Sequence, residues 1–208
     1  ITFDLSSIKM SPYPFEDIFV DKDGVMIMAQ ITKKGGMLAE FNYFKDCSND
    51  NLDLAGAEDL ASEFIKKIGY TNMKAVWTAD SGNTITINFA SLVNGVICYL
   101  DLVKVNVCRE RAVVSGLEAS SYIYNYTTRE PKTAVVSVNQ VKKKVSSEIK
   151  IETVRLAIIP KGETNEILAY EFTGTKNGTM YYIYIDAQTG KEADIFMVID
   201  TTEGKLLM

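Results

Sequence analysis

An internal repeat constrains this chain more than any other feature of its sequence. Two stretches of alternating apolar residues, each followed by an Asn-Gly pair, recur 83 residues apart. Six positions share this offset, namely Ile85 with Leu168, Ile87 with Tyr170, Phe89 with Phe172, Asn94 with Asn177, Gly95 with Gly178 and Tyr99 with Tyr182. One register held through two strands and a turn indicates a tandem repeat of a small α+β unit.

The later copy is typical of three β-strands. From 168 to 172 the larger apolar residues alternate with Ala169 and Glu171, which is the period of a half-buried strand. Asn177-Gly178 supplies the positive φ angles of a tight hairpin, and Ala187–Gly190 predicts a second turn.

Each repeat is predicted to begin with a helix. The first starts near Asp53 and stops at Gly69 after one apolar stripe, formed by Ala57, Leu60, Ala61, Phe64, Ile65 and Ile68. In the second, Ser137 and Gln140 have the spacing of a capping box. Its narrower stripe is Val138, Val141, Val145 and Ile149.

Strands follow each helix, and the fold class predicted is therefore α+β. The first set comprises Met73–Ala79, Thr84–Ala90, a stretch through Val107, and Ala112–Leu117; the second comprises Val154–Ile159, Leu168–Phe172, Met180–Asp186 and Glu192–Ile199. We expect two complete units, residues 53–128 and 133–208, joined by a linker around Pro131. Each is predicted as one helix packed on a four-stranded antiparallel sheet, with the other sheet face free.

Residues 1–50 predict only part of such a unit. Val25–Thr32 and Met37–Tyr43 form a hairpin pattern around Lys33–Gly36, and no helical pattern precedes it. Because a two-stranded hairpin is marginal in water, we expect it to pack on the next unit or on a second chain, which would give a homodimer through residues 1–50. The chain opens on Ile1, and we expect the missing half of this unit to precede it in a longer protein.

Composition disfavours several classes of function. The formal net charge is −5, whereas nucleic-acid binding needs a concentrated basic face. The sequence contains no His, which removes the usual general base and the commonest zinc ligand. No apolar run approaches the ~18 residues of a membrane span. We predict no catalytic, cofactor-binding or metal-binding residues.

Four weaker features have two interpretations each. Asp21–Gly24 resembles the opening of a calcium loop but lacks the later ligands, so a plain turn is favoured. Trp77 could be a sugar platform, although a core position is the commoner role of a lone Trp. Lys142–Lys144 is a basic run, for which solubility is favoured over binding to a polyanion or a membrane surface.

The fourth feature is the set of three cysteines. Cys47, Cys98 and Cys108 lack the spacing of metal ligands. Three buried thiols are the favoured interpretation, and a Cys98–Cys108 disulfide between neighbouring strands is the alternative.

Three segments resemble the PepSY domain, and within it the YpeB family of spore germination proteins. They are Val25–Gly36, Cys98–Glu130 and Tyr182–Met208. One departure is the turn Arg109–Ala112, which lacks the Gly present in the other two copies, at Gly35 and Gly190. A second lies in Tyr122–Arg129, which has Tyr and Asn where the family pattern leads us to expect His.

The resemblance implies a non-enzymatic, extracytoplasmic spore protein at the outer face of the inner membrane, anchored through an N-terminal segment absent here. It further implies a role in germination together with a SleB-type enzyme that degrades cortex peptidoglycan. The partner would be stabilised or inhibited by the binding. Alternatives are a protease-inhibitor or propeptide-like module, and direct binding of peptidoglycan through exposed Tyr and Trp77.

Overall fold

A computed structural model describes residues 15–22, 24–130, 133–162, 165–201 and 204–207. These residues form the strands β1 (Phe15–Lys22), β2 (Val25–Thr32), β3 (Leu38–Tyr43), β4 (Met73–Asp80), β5 (Thr84–Val93), β6 (Val96–Cys108), β7 (Val113–Glu118), β8 (Lys150–Lys161), β9 (Asn165–Lys176), β10 (Thr179–Asp186), β11 (Glu192–Thr201) and β12 (Gly204–Leu207). The helices are α1 (Leu54–Lys67), α2 (Ser120–Asn125) and α3 (Val138–Lys142).

The chain divides into two compact units. Unit 1 holds the described residues up to Ala90 together with Asp101–Tyr126. Unit 2 holds Ser91–Leu100 and the described residues from Thr127 onward. The repeat boundaries 53–128 and 133–208 stay predictions, because this division follows contacts and not repeats.

The sheet of unit 1 has the strand order β1-β2-β3-β7-β6-β5-β4. The hairpin predicted from residues 25–43 is present, but it is not a lone pair. Residues 15–22 form a third strand beside β2, and β3 pairs with β7 through Phe41 and Leu117. The hairpin therefore packs on the next segment of its own chain, which is one of the two outcomes expected. The sequence analysis missed β1 because its apolar residues form a short run, Ile18–Val20, rather than an alternation.

One face of this sheet is covered by α1. Ala29, Phe41, Leu117 and Val105 lie side by side across four strands. Phe41, Leu117 and Val105 belong to one core cluster with the buried face of the helix, which is formed by Ala57, Ala61 and Ile65. Asp53 caps the helix by accepting from the Gly56 N–H at 2.8 Å. Burial of each large side chain in such a cluster contributes roughly 1.5–3 kcal/mol.

Unit 2 contains the order β8-β9-β10-β11-β12, and its β6 residues Ile97 and Cys98 pair in parallel with β8. Its helix is shorter than predicted. The pattern to Ile149 suggested three turns, but α3 ends at Lys142 and Val145 is buried by the turn that follows. The segment has a low helix propensity because it contains three β-branched valines. Val141 and Val145 are nevertheless buried, since the short helix and the turn after it already place both side chains in the core.

The fold is therefore of the α+β class, with more strand than helix. The predicted architecture of one helix packed on a four-stranded sheet, however, describes neither compact unit. Seven strands pair in the sheet of unit 1, which also carries the unpredicted α2. Strands that belong to one repeat by sequence pair with strands of another, as β3 does with β7.

The positions matched by the repeat have matched environments. Ile85, Leu168, Phe89 and Phe172 are all buried in the strand that precedes an Asn-Gly turn. Both residues of each turn have positive φ, 51° and 80° at Asn94-Gly95 and 52° and 82° at Asn177-Gly178. In the turn that lacks the expected Gly, Ala112 itself adopts a φ of 49°.

The cysteines differ from both interpretations of the sequence. Cys47 forms a disulfide with Cys108, and Cys98 is a buried cysteine outside that disulfide. Cys47 lies in a loop that the sequence marks only as polar. Two hydrogen bonds hold that loop against the turn after β6, Ser48 N–H to Glu110 at 2.8 Å and Arg111 Nη2 to the Lys45 carbonyl at 3.0 Å. The pairing is therefore set by tertiary contacts.

We expect thiol titration to give no reactive thiol in the native protein, one after unfolding without reductant and three after reduction. The disulfide closes a separation of 61 residues, so its reduction should lower the free energy of unfolding by about 2–4 kcal/mol. The Cys98→Ala variant is the control, with the same loss on reduction. Three reactive thiols in the unfolded, unreduced protein would contradict the pairing.

Candidate functional site

The structure gives the weak sequence candidates ordinary roles. The Asp21 carboxylate accepts from the Gly24 N–H at 3.0 Å, as in a plain turn; Asp23 lies outside the described residues. Trp77 is half-buried in β4. In the basic run, Lys144 donates to the Gly190 carbonyl, so that lysine helps to hold the turn between β10 and β11.

One group of potential metal ligands occurs among the described residues. Cys47, Cys108 and Glu110 have ligand atoms within 4.8 Å of one another. Two of the three are joined in the disulfide, and a disulfide sulfur does not supply the thiolate that binds metals. This group is therefore explained as a covalent link.

A constellation of polar side chains lies in unit 2, in one row across four strands. Arg155 pairs with Glu171, Glu171 with Tyr184, and Tyr184 with Asp194. Directly paired residues share a sheet face. Their neighbours in sequence, such as Phe172 and Ile183, pack with α3, so this row occupies the opposite face of the sheet.

A buried carboxylate is at the centre of the row. Glu171 is fully buried, accepts from Arg155 Nε at 2.6 Å and from the Tyr184 hydroxyl at 3.0 Å. The second arm of the guanidinium, Arg155 Nη2, donates to the Tyr99 hydroxyl at 2.9 Å. A buried charge is tolerated when it is paired and hydrogen-bonded in this way.

The network holds its tyrosines in the neutral form. Burial, followed by the negative charge of Glu171, raises the pKa of both Tyr99 and Tyr184 well above the usual range. Burial is the largest single influence on Arg155 and would lower its pKa, but the charges of Glu171 and Tyr99 and the hydrogen bonds to both together raise it. The network therefore keeps one protonated guanidinium and two neutral phenols over the physiological pH range.

A pocket of about 260 Å³ opens beside this network. It is lined by Tyr99, Ile159, Pro160, Tyr184, Asp194 and Phe196. The rings stand at steep angles to one another: Tyr99 and Tyr184 lie 6.2 Å apart at 89°, and Tyr184 and Phe196 lie 6.0 Å apart at 75°. The free face predicted for this sheet is therefore not flat.

The sequence analysis missed this site. It placed Glu171 among the smaller residues alternating in a half-buried strand, a position that usually faces solvent. The one available signal was an acidic residue inside an apolar run, between Tyr170 and Phe172. Its partners come from three other strands, which no local pattern brings together.

The Asp186 carboxylate organises the adjoining turn. It accepts from the backbone N–H groups of Gln188 at 2.8 Å and Thr189 at 3.0 Å. Burial by itself would raise the pKa of Asp186, but these two donors, aided by Lys161, hold it below the usual range. The charged form is thus the one that the turn stabilises.

Two family models match this chain. Residues 9–132 match the family model described as YpeB sporulation, PepSY1 and PepSY2 domains, and residues 135–195 match the one described as peptidase propeptide and YPEB domain. The chain belongs to the YpeB family. The family and the names of its members support a sporulation-related role.

Individual relatives agree with this assignment. The sporulation protein YpeB of Halalkalibacterium halodurans is 27% identical over 79% of this chain, and that of Oceanobacillus iheyensis is 26% identical over 92%. The chain spans only 37% and 42% of the lengths of these relatives. The solved C-terminal domain of YpeB from Bacillus megaterium superposes with a TM-score of 0.84 at 27% identity, over 93% of this chain and 91% of that one.

Within the described part of this YpeB-family chain, no helix has the length and hydrophobicity required to cross a membrane. In the constellation on unit 2, Glu171 accepts from Arg155 and Tyr184, and Arg155 also donates to Tyr99, so these four side chains hold one another in place.

We expect Arg155→Met to lower the free energy of unfolding by about 2–3 kcal/mol, because it leaves the buried Glu171 carboxylate unpaired. Adding Glu171→Gln should restore at least half of the loss, since the amide still accepts from Tyr184. Urea unfolding measures both. Lys176→Met, which breaks the exposed pair with Glu148, is the matched control and should have no measurable effect. Equal losses in the single and double variants would contradict this account.

Asp186→Asn tests the turn by its pH dependence. A carboxyl whose pKa is lowered on folding contributes stability above its ordinary pKa of 3.8, and loses it as the pH falls through the lower folded value. The stability difference between the wild type and this variant should therefore be greatest near neutral pH and should shrink below pH 3.8. A difference that grows on acidification would show that the turn prefers the neutral form.

Proposed function

We propose that this chain is a non-enzymatic binding module of an extracytoplasmic spore protein. It binds a SleB-type cortex-lytic enzyme during sporulation, and stabilises or restrains that enzyme until germination. Membership of the YpeB family is the observation that carries the proposal.

The chemistry of the chain supports a non-enzymatic role. No His is available as a general base, and the buried Glu171 carboxylate is occupied by hydrogen bonds from Arg155 and Tyr184. Such a network stabilises a surface, whereas a catalytic group needs a proton or electron pair that it can transfer to substrate.

The disulfide supports placement outside the cytoplasm. Cys47 and Cys108 are joined although they are 61 residues apart. Disulfides persist in oxidising compartments and are rare where glutathione and thioredoxin keep thiols reduced. A protein that acts at the outer face of a membrane or in the cortex meets this condition.

Strand edges offer a route for protein recognition. Among the described residues, β4 pairs only with β5, and β1 only with β2. An extended segment of a partner can add to such an edge by backbone hydrogen bonds. The pocketed face of unit 2 adds a side-chain surface of a different kind.

A protease-inhibitor or propeptide-like role is the second candidate. The description peptidase propeptide and YPEB domain, matched by residues 135–195, favours it. Direct peptidoglycan binding is the third, because Tyr124 and Tyr126 are 66% and 54% exposed. The half-buried Trp77 is a poorer platform for sugar than these two residues.

The decisive experiment mixes the purified chain with a SleB-type enzyme and measures three quantities. Biosensor binding should show a saturable complex, and the enzyme should be cleaved more slowly by an added protease when the complex forms. The chain alone should release no muropeptides from cortex peptidoglycan, with or without chelator.

Two further assays separate the alternatives. If the chain inhibits a broad-specificity peptidase but does not bind the SleB-type enzyme, the result would support the propeptide role and contradict the proposal. Glycan binding would be favoured if the chain sediments with peptidoglycan and loses this property in Tyr124→Leu and Tyr126→Leu. The Val135→Ala control, at another exposed apolar side chain, should still sediment. Muropeptide release by the chain alone would refute the non-enzymatic role.

A further inference from the structure

The pocket on unit 2 has the composition of a site for an organic cation. Three of its six lining residues are aromatic, namely Tyr99, Tyr184 and Phe196. Because their rings stand at 75° and 89° to their neighbours, aromatic surface borders the space on more than one side. The faces of such rings carry partial negative charge and attract ammonium and guanidinium groups.

Two of the three rings are fixed in place before any ligand arrives. The Tyr99 hydroxyl accepts from Arg155, the Tyr184 hydroxyl donates to Glu171, and both bonds are anchored on the ion pair between Arg155 and the buried Glu171. A site whose walls are held by hydrogen bonds loses little conformational entropy on binding. The network therefore holds the two tyrosine rings at their angle of 89°.

The electrostatics of the lining favour positive charge. Asp194 is the only charged residue among the six, it is exposed, and the hydrogen bond identified for its carboxylate is to the N–H of the next residue, Ile195. The positive charge of the nearby Arg155 is balanced by Glu171 at 2.6 Å. The pocket thus combines aromatic walls with one carboxylate that has no ion-pair partner among the described residues.

We propose that this pocket binds the cationic end of a lysine or arginine side chain carried by another polypeptide. Its volume of about 260 Å³ exceeds the roughly 30 Å³ of one water several-fold, so it has room for an alkyl stem as well as the charged head. Ile159 and Pro160 provide apolar contact for that stem, while Asp194 and the rings meet the charge.

The lining also explains the preference for a side chain over a free amino acid. A free amino acid carries an α-carboxylate in addition to its cationic end. Among the six lining residues no cation is available to meet that carboxylate, and Asp194 would repel it. In a polypeptide the α-carboxylate is replaced by a neutral peptide group. The inference does not depend on the identity of the proposed enzyme partner.

The test is a titration of the full chain, labelled with ¹⁵N, with small probes followed by NMR. The probes are Nα-acetyl-lysine methylamide, its arginine counterpart, the Nε-acetylated lysine probe and free lysine. We expect saturable shifts at the amides of Tyr184, Asp194 and Phe196 with the first two. Nε-acetylation, which removes the charge and keeps the stem, should weaken binding about tenfold or more. Free lysine should bind more weakly than the capped probe.

Two variants and a control complete the test. Asp194→Asn and Phe196→Leu should each weaken the capped lysine probe about fivefold to tenfold. Asp59→Asn makes the same change of charge at an exposed position on α1 and should leave binding unchanged. Because Asp194 is exposed, its variant should retain the wild-type spectrum and decides the matter if Phe196→Leu is unstable.

Several results would overturn the proposal. They are no saturable shift with either capped cation, equal binding of the Nε-acetylated probe, or stronger binding of free lysine. Equal weakening by Asp59→Asn and Asp194→Asn would assign the effect to overall charge. None of these results bears on whether a SleB-type enzyme is bound, which the biosensor measurement decides separately.

Discussion

The register of the antiparallel strands is the constraint on which both units depend. Side chains alternate between sheet faces, so a slip of one residue would move every apolar group of a strand to the wrong side. In unit 2 the register that sets Phe172 under α3 also sets Glu171 opposite Arg155 and Tyr184. Positive φ angles at Asn177-Gly178 make the tight turn that fixes this pairing. The same strand register therefore positions both the hydrophobic core and the polar network, on opposite faces of the sheet.

Unit 1 satisfies the same constraint with more strands and a longer helix. The three-stranded segment β1–β3 cannot cover its own apolar face. The helix α1, which follows it in the chain, covers that face and also the apolar face of the strands that come after the helix. Pairing of β3 with β7 and the Cys47–Cys108 disulfide both join residues on the two sides of the helix. Two distant parts of the sequence thus share one hydrophobic core.

The ion pair at the centre of unit 2 shapes a surface as well as stabilising the sheet. The negative charge of the buried Glu171 is balanced by Arg155. Its second carboxylate oxygen accepts a hydrogen bond from Tyr184, which also forms a wall of the pocket. A charge that would destabilise an isolated strand thereby gives shape to the face that α3 leaves open. The stability of unit 2 and the geometry of its pocket consequently rest on the same hydrogen bonds.

The sequence by itself determined the repeat, the Asn-Gly hairpins, the span of α1 and the family, because these follow from periodicities and motifs in the sequence. Only the tertiary structure decided the short α3, the strand β1, the partner of Cys108 and the setting of Glu171. Each of these depends on residues distant in sequence. Val141 and Val145 are buried against strands of unit 2, β1 pairs with β2, and Arg111 holds the loop that carries Cys47. The partners of Glu171 come from other strands. Alternation predicts which side of a strand faces a core, but only assembled strands show what lies on the other side.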